Sequence, residues 1–158
     1  MTAVLVIAVV VVILDQATKL LALDRLAEGV PVPVIDGLLN LTLVKNPGLA
    51  FGLLSGLPVG WRWVVVALSL IALAVLARLA VRVLTPGALL DRIAVGLIFG
   101  GAVGNLIDRA RFGAVVDFID VHYRGWHWPA FNAADSAITV GVALLAARLL
   151  TQPSPKTT

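Results

Sequence analysis

The sequence predicts an all-α membrane protein, a bundle of four transmembrane helices with a small β-sheet insert lying on the membrane. Three features carry that expectation. The 158 residues are 60% hydrophobic and only 13% charged, about half the charge fraction of a soluble domain. The mean hydropathy is +1.02. Four apolar segments approach the roughly 20 residues that cross a bilayer as a helix. A chain of this size has room for a single domain, expected over residues 1–151.

The first span is expected over about Ala3–Leu23, interrupted by Asp15 and Lys19. No basic region precedes it and no small-x-small cleavage site follows, so it reads as a retained helix, not a signal peptide. An insert comes next, over about residues 24–60. In it Leu39, Leu41 and Leu43 alternate with Asn40 and Thr42, the period of a half-buried strand. Asn46-Pro47-Gly48 closes that strand as a turn. Val30-Pro31-Val32-Pro33 suits only an extended edge, because proline cannot donate to a central ladder. The second, third and fourth spans are expected over about Trp61–Ala80, Leu89–Ile107 and Ala133–Leu150. Gly96, Gly100 and Gly104 recur every fourth residue in the third span, a small-residue stripe for close helix packing. Residues 152–158 are polar and proline-containing and read as a disordered tail.

The formal net charge is +3. That balance suits anionic lipid head groups. The Lys and Arg residues are scattered, which excludes a nucleic-acid surface. They also fail to decide orientation. Arg78, Arg82, Arg92, Arg148 and Lys156 would mark one side, but Arg25, Lys45, Arg62, Arg109, Arg111 and Arg124 fall on the other. An even number of spans places both termini together, and the insert and the 110–131 loop together opposite them. The absence of cysteine excludes disulfides, thiolate metal sites and a cysteine nucleophile.

Two aspartates are the leading candidates for chemistry. Asp117 lies among Val115, Val116, Phe118 and Ile119, where desolvation is expected to raise its pKa. Asp135 falls in the first turn of the fourth span, after Asn132. Taken alone it reads first as a partner of the helix dipole behind an N-cap. Brought together by two helix ends, a raised carboxyl beside an ionised one activates water, and the two titrate as a pair. Asn105, Asp108 and Arg109 share one helix face. Asp108 is expected to stay ionised and hold Arg109, ranking behind Asp117 as an acid. Arg109 is a candidate for binding a carbonyl or phosphate, or a plain interfacial anchor. Asp15 and Lys19, spaced i, i+4, read as a structural ion pair. His122 and His127 flank Tyr123, Trp126 and Trp128; with no metal-binding fingerprint they read as an interfacial aromatic belt, and no metal is expected.

Five stretches, taken in order, resemble the signal peptidase II family: Asp15-Gln16-Ala17-Thr18-Lys19, Asn46-Pro47-Gly48-Leu49-Ala50-Phe51-Gly52, Gly100 to Arg109, Val115 to Ile119, and Phe131 to Ile138. The second departs from the family at Leu49, where alanine is usual, and at Pro47, which stiffens the turn. The resemblance implies an aspartyl endopeptidase of the bacterial cytoplasmic membrane. Both termini would be inside, the insert extracytoplasmic, and the site at the outer face. Its substrates would be prolipoproteins carrying a diacylglyceryl-modified cysteine, cut just before that cysteine. Asp117 and Asp135 would be the catalytic pair, and Asn46, Asn105, Asp108, Arg109 and Asn132 a polar shell. Asp15 and Lys19 would support the first helix. No cofactor, a monomeric enzyme and contact with membrane lipids are expected. The competing reading is a proton- or ion-translocating bundle using Asp15, Asp108 and Asp135 as relay carboxylates; a third is a structural subunit without chemistry. The Gly-x-Gly-Asp signature of other intramembrane aspartyl proteases is absent.

Overall fold

A computed structural model describes residues 2–48 and 89–151, together with helical residues scattered between 63 and 78. Much of the expected second span, the Leu49–Gly60 part of the insert and the 152–158 tail lie outside the described residues.

The chain opens with helix α1, Thr2–Arg25. Its run of four valines, Val9–Val12, would favour a strand in water. In hydrocarbon each backbone group must find its partner within the segment, and the run is helical. Leu5, Val6, Val9, Val10, Ile13 and Leu14 stay exposed along it, as lipid-facing residues do. Helix α2, Leu89–Phe112, is central, packing against both α1 and helix α3, Ala133–Thr151. α1 and α2 are each long and apolar enough to cross a membrane.

The glycine stripe sets this packing. A side-chain carbon on Gly96 would fall 2.8 Å from Ile7 Cβ, and one on Gly100 would fall 2.7 Å from the Ala8 carbonyl oxygen. One on Gly104 would strike the Asp15 carboxylate. The contacts advance together along both helices, so α1 and α2 run parallel. Gly101 faces Ala134 and Ile138, while Gly141 faces Ala94 and Ile98, so α3 runs antiparallel to α2. At the far end Arg148 Nε meets the buried Asp91 carboxylate at 2.6 Å.

Four antiparallel strands cap the other end in the order β1 (Val32–Ile35), β2 (Leu39–Asn46), β3 (Val115–Tyr123), β4 (Trp126–His127). β1, with Pro33, is the edge that its prolines require. The insert supplies only half the sheet. β3 and β4 come from the segment after α2, so the architecture is helices with a small antiparallel sheet. The β-branched run Val115-Val116-Asp117-Phe118-Ile119 is the local reason for β3. A bulge between Leu41 and Val44 sets two β2 residues opposite Phe118. Beside it Leu43 and Val116 pack on Ala22 of α1, seating the sheet on the bundle.

Candidate active site

The ends of α1, α2 and α3 and the start of β3 converge on a buried polar network. Its base is Lys19 on α1, 2% exposed, with Asp15 beside it fully buried. Lys19 Nζ contacts Asp15 Oδ2 at 2.9 Å and Asp108 Oδ2 at 2.7 Å, and donates to Asn105 Oδ1 at 2.9 Å. All three ammonium hydrogens thus have partners, which makes a buried lysine tolerable. Asp15 Oδ1 accepts from the Ala134 backbone N–H at 3.0 Å, so α1 supplies a carboxylate to the N-terminus of α3.

Asp108 does not hold Arg109, as its sequence neighbour would suggest. Its oxygens face Lys19, the Gln16 amide at 2.9 Å and the Val116 N–H at 3.1 Å. The reason is geometric: adjacent residues on a helix point about 100° apart. Arg109 instead donates to the carbonyls of Asn105 at 3.3 Å and Gly48 at 3.0 Å. Its buried Nε has no hydrogen bond among the described residues. Gln16 also bridges Asp15 and the Gly104 carbonyl. Sequence reasoning gave Gln16 no role; an amide between two charged positions inside an apolar span was the available signal.

Above this base stand Asp117 and Asp135. Asp117 comes from strand β3, not from a helix end as expected, and is 2% exposed. Its Oδ1 accepts from Asn132 Nδ2 at 2.7 Å and its Oδ2 from Asn46 Nδ2 at 3.2 Å. Asn46 Oδ1 in turn accepts from the Gly48 N–H at 3.0 Å, closing the expected turn after β2. Asp135 Oδ1 accepts from Asn105 Nδ2 at 2.8 Å. Asn132 and Asp135 also form a reciprocal cap, Asp135 N–H to Asn132 Oδ1 at 2.9 Å and Asn132 N–H to Asp135 Oδ2 at 3.3 Å. The capping reading of Asp135 therefore holds, and the same cap aims its carboxylate at Asn105. The fully buried Asn132 amide also reaches Asn105 Oδ1 and the Val116 carbonyl, each at 3.2 Å, tying α2, β3 and α3 together.

Burial pushes the Asp117 carboxyl up to about 7, and the nearby negative charge of Asp135 adds to it. Hydrogen bonds from Asn46 and Asn132 and the Lys19 charge oppose the rise without cancelling it. A carboxyl raised into this range suits a general acid or base at neutral pH.

A helical, lipid-facing body with a buried carboxylate cluster at one end describes a membrane enzyme, and solved structures agree. One bacterial membrane enzyme determined by the in meso method at 1.9 Å superposes with a TM-score of 0.80 at 37% identity, covering 97% of this chain and 96% of that one. A second, determined at 2.3 Å, gives a TM-score of 0.76 at 36% identity, over 100% of this chain and 96% of that one. The family model for signal peptidase (SPase) II matches residues 7–151, and the chain belongs to that family. It is an aspartic endopeptidase of the signal-peptide-removing class. The lipoprotein signal peptidase of Polynucleobacter necessarius is 48% identical over 142 residues, covering 89% of this chain and 85% of the relative. That of Geobacter metallireducens is 46% identical over 141 residues, covering 89% and 86%.

Proposed function

We propose that this enzyme removes signal peptides from diacylglyceryl-modified prolipoproteins, cutting just before the lipidated cysteine, with Asp117 and Asp135 as the catalytic pair. The observation that carries the reading is Asn132, which donates to Asp117 and caps against Asp135, holding two carboxyl groups from different elements at one point. One carboxylate takes a proton from water while the other, protonated, polarises the scissile carbonyl. The hydroxide oxygen adds to that carbon, and the tetrahedral intermediate collapses once a proton reaches the leaving nitrogen.

Asn46, Asn105 and Asn132 orient the pair. Asp108 acts through Lys19, and Asp15 and Lys19 hold the base of the site. Arg109 has a buried Nε–H free of partners among the described residues, which suits it to a substrate backbone carbonyl. The apolar signal helix and the acyl chains reach the site sideways through the bilayer.

The parallel pair α1 and α2 supports our reading of the membrane arrangement. α1 ends at the sheet and α2 begins at the opposite end, an arrangement that a returning span between them would satisfy. The described residues from Trp63 to Val75 are helical and, Ser69 apart, apolar, in keeping with a second span and a four-span bundle. We place both termini in the cytoplasm, the sheet at the outer face of the cytoplasmic membrane, and a monomeric peptidase domain over residues 1–151.

The test is cleavage of a diacylglyceryl-modified prolipoprotein by the purified protein in bilayers. Asp117→Asn and Asp135→Asn should each abolish the cut while the protein remains folded. Undiminished cleavage in either variant would remove that residue from the pair.

A further inference from the structure

On the sheet, away from the carboxylate pair, the fold gathers three metal-binding side chains that no sequence spacing announced. Asp120 and His122 are two residues apart on β3 and so lie on one face of that strand. His127 on β4 is the cross-strand partner of His122. The hairpin joining them has a two-residue turn, Arg124-Gly125, with φ of 50° and 83°. Both angles are left-handed, as a tight turn matched to strand twist requires, and this fixes the register that opposes the two imidazoles. Their rings stack with centroids 5.0 Å apart and 16° between planes.

One donor atom from each of Asp120, His122 and His127 lies within 4.8 Å of the others. His127 Nδ1 and Asp120 Oδ1 already approach to 2.8 Å. In a tetrahedral zinc site the ligand atoms sit about 3.3 Å apart, given metal–ligand bonds of about 2.0–2.2 Å. The set reaches that geometry by opening one pair about 0.5 Å and closing the others by no more than about 1.5 Å, within the reach of side-chain rotation on a surface hairpin.

The donors are also prepared. Asp120 is buried, so its carboxylate is held in place by the sheet. Asn40 Nδ2 and Thr42 Oγ1 donate to Asp120 Oδ2 at 3.4 and 3.3 Å, leaving Oδ1 to face His127 Nδ1. That is the outer support a metal-binding carboxylate uses. His122 Nδ1 is buried and makes no hydrogen bond among the described residues, an arrangement costly for a ring with no further task. His127, by contrast, is 53% exposed, which opens the fourth coordination position to water.

We propose that Asp120, His122 and His127 bind one late first-row divalent cation, with Zn2+ as the reference ion. Two imidazoles and a carboxylate suit that class rather than Mg2+ or Ca2+. The ion would staple β4 to β3. Through Asn40 and Thr42 it would also stiffen β2, which carries Asn46. Alternation along β3 puts Asp120 on the face opposite Asp117 and about 10 Å along the strand. The ion is therefore a structural clamp and takes no part in peptide hydrolysis.

The test is clean because the chain has only two histidines and no cysteine. Full-length protein in detergent micelles, with no affinity tag, is stripped with EDTA, dialysed and titrated with Zn2+. Bound metal is counted by mass spectrometry and affinity is measured by calorimetry. One equivalent is expected, with a rise in the unfolding temperature on binding. Asp120→Asn and His127→Ala should each weaken binding about ten-fold or more, and His122→Ala combined with His127→Ala should abolish it. Undiminished cleavage by His127→Ala certifies its fold. Failure of the wild-type protein to bind Zn2+, or equal binding by the double variant, would overturn the proposal. Neither result bears on Asp117 and Asp135.

Discussion

Asp117 concentrates the chemistry of this molecule because its setting opposes its charge. Burial and Asp135 raise its carboxyl to about 7, far above the ordinary 3.8. If the reaction needs one proton on the pair, kcat/KM should fall as pH rises through about 7. A profile flat across neutral pH would remove Asp117 as the proton-bearing partner. The sign for stability follows from the same shift. The folded protein favours neutral Asp117, so the stabilisation of that form is complete below the ordinary value and is lost as pH rises towards 7. Asp117→Asn should therefore lose activity on the order of ten-thousand-fold. Its unfolding temperature relative to the wild type should improve from acid to alkaline pH. Lys19 presents the opposite case. Lys19→Met leaves the buried Asp15 and Asp108 carboxylates without their shared cation, and should cost about 3–5 kcal/mol in denaturant unfolding. A loss below about 1 kcal/mol would mean that water replaces the ammonium.

The helices meet through glycines, and the polar network depends on that closeness. Gly100 admits α1 to within contact of the α2 backbone, and Gly104 leaves room for the Asp15 carboxylate. Gly100→Val should force α1 and α2 apart, costing about 1–3 kcal/mol and lowering cleavage through the displaced Asp15 and Lys19. Unchanged unfolding temperature and cleavage even in Gly100→Ala, whose single added carbon already meets Val11 Cβ and the Ala8 carbonyl oxygen, would show that α1 yields at this contact. α3 depends on its cap in a different way. Asn132→Ala removes hydrogen bonds to Asp117, Asn105 and Asp135 at once. It should cost about 1–2 kcal/mol as a lost cap and lower kcat more than it raises KM, since the carboxylates lose their common tether. An unchanged kcat would assign Asn132 to the helix alone.

Taken as one body, the protein separates two ionic clusters by the length of α2. Asp91 and Arg148 lock one end, and the Asp15, Lys19, Asp108 set locks the other. Between them the α1–α2 contacts are apolar and glycine-lined. Asp15 and Asp108 are held by the same lysine, which disfavours a relay that must pass protons along successive carboxylates. Liposomes containing the protein should show no proton flux above that of empty vesicles while still cleaving substrate. Flux without cleavage would reverse the assignment.

Much of this was legible in the chain. The apolar lengths of α1, α2 and α3 dictate helices wherever the backbone must satisfy itself, and the prolines of Val30-Pro31-Val32-Pro33 allow only an edge. The Asn132 to Asp135 spacing is a local cap that needs no tertiary information. The motif order from Asp15 to Ile138 pointed to the family. Other features rest on contacts between distant segments, which a local reading does not contain. Asp117 reached the site on a strand because Val115–Tyr123 found β2 across about seventy residues of chain. Asp108 turned from its neighbour Arg109 to Lys19 because helix packing, not adjacency, decides which charges meet. His122 met His127 and Asp120 only once the Arg124-Gly125 turn closed. Covalent neighbours and hydropathy determine which segments become helix or strand; which side chains share a buried point depends on register and packing, because electrostatic and hydrogen-bond energies are set by distance in space.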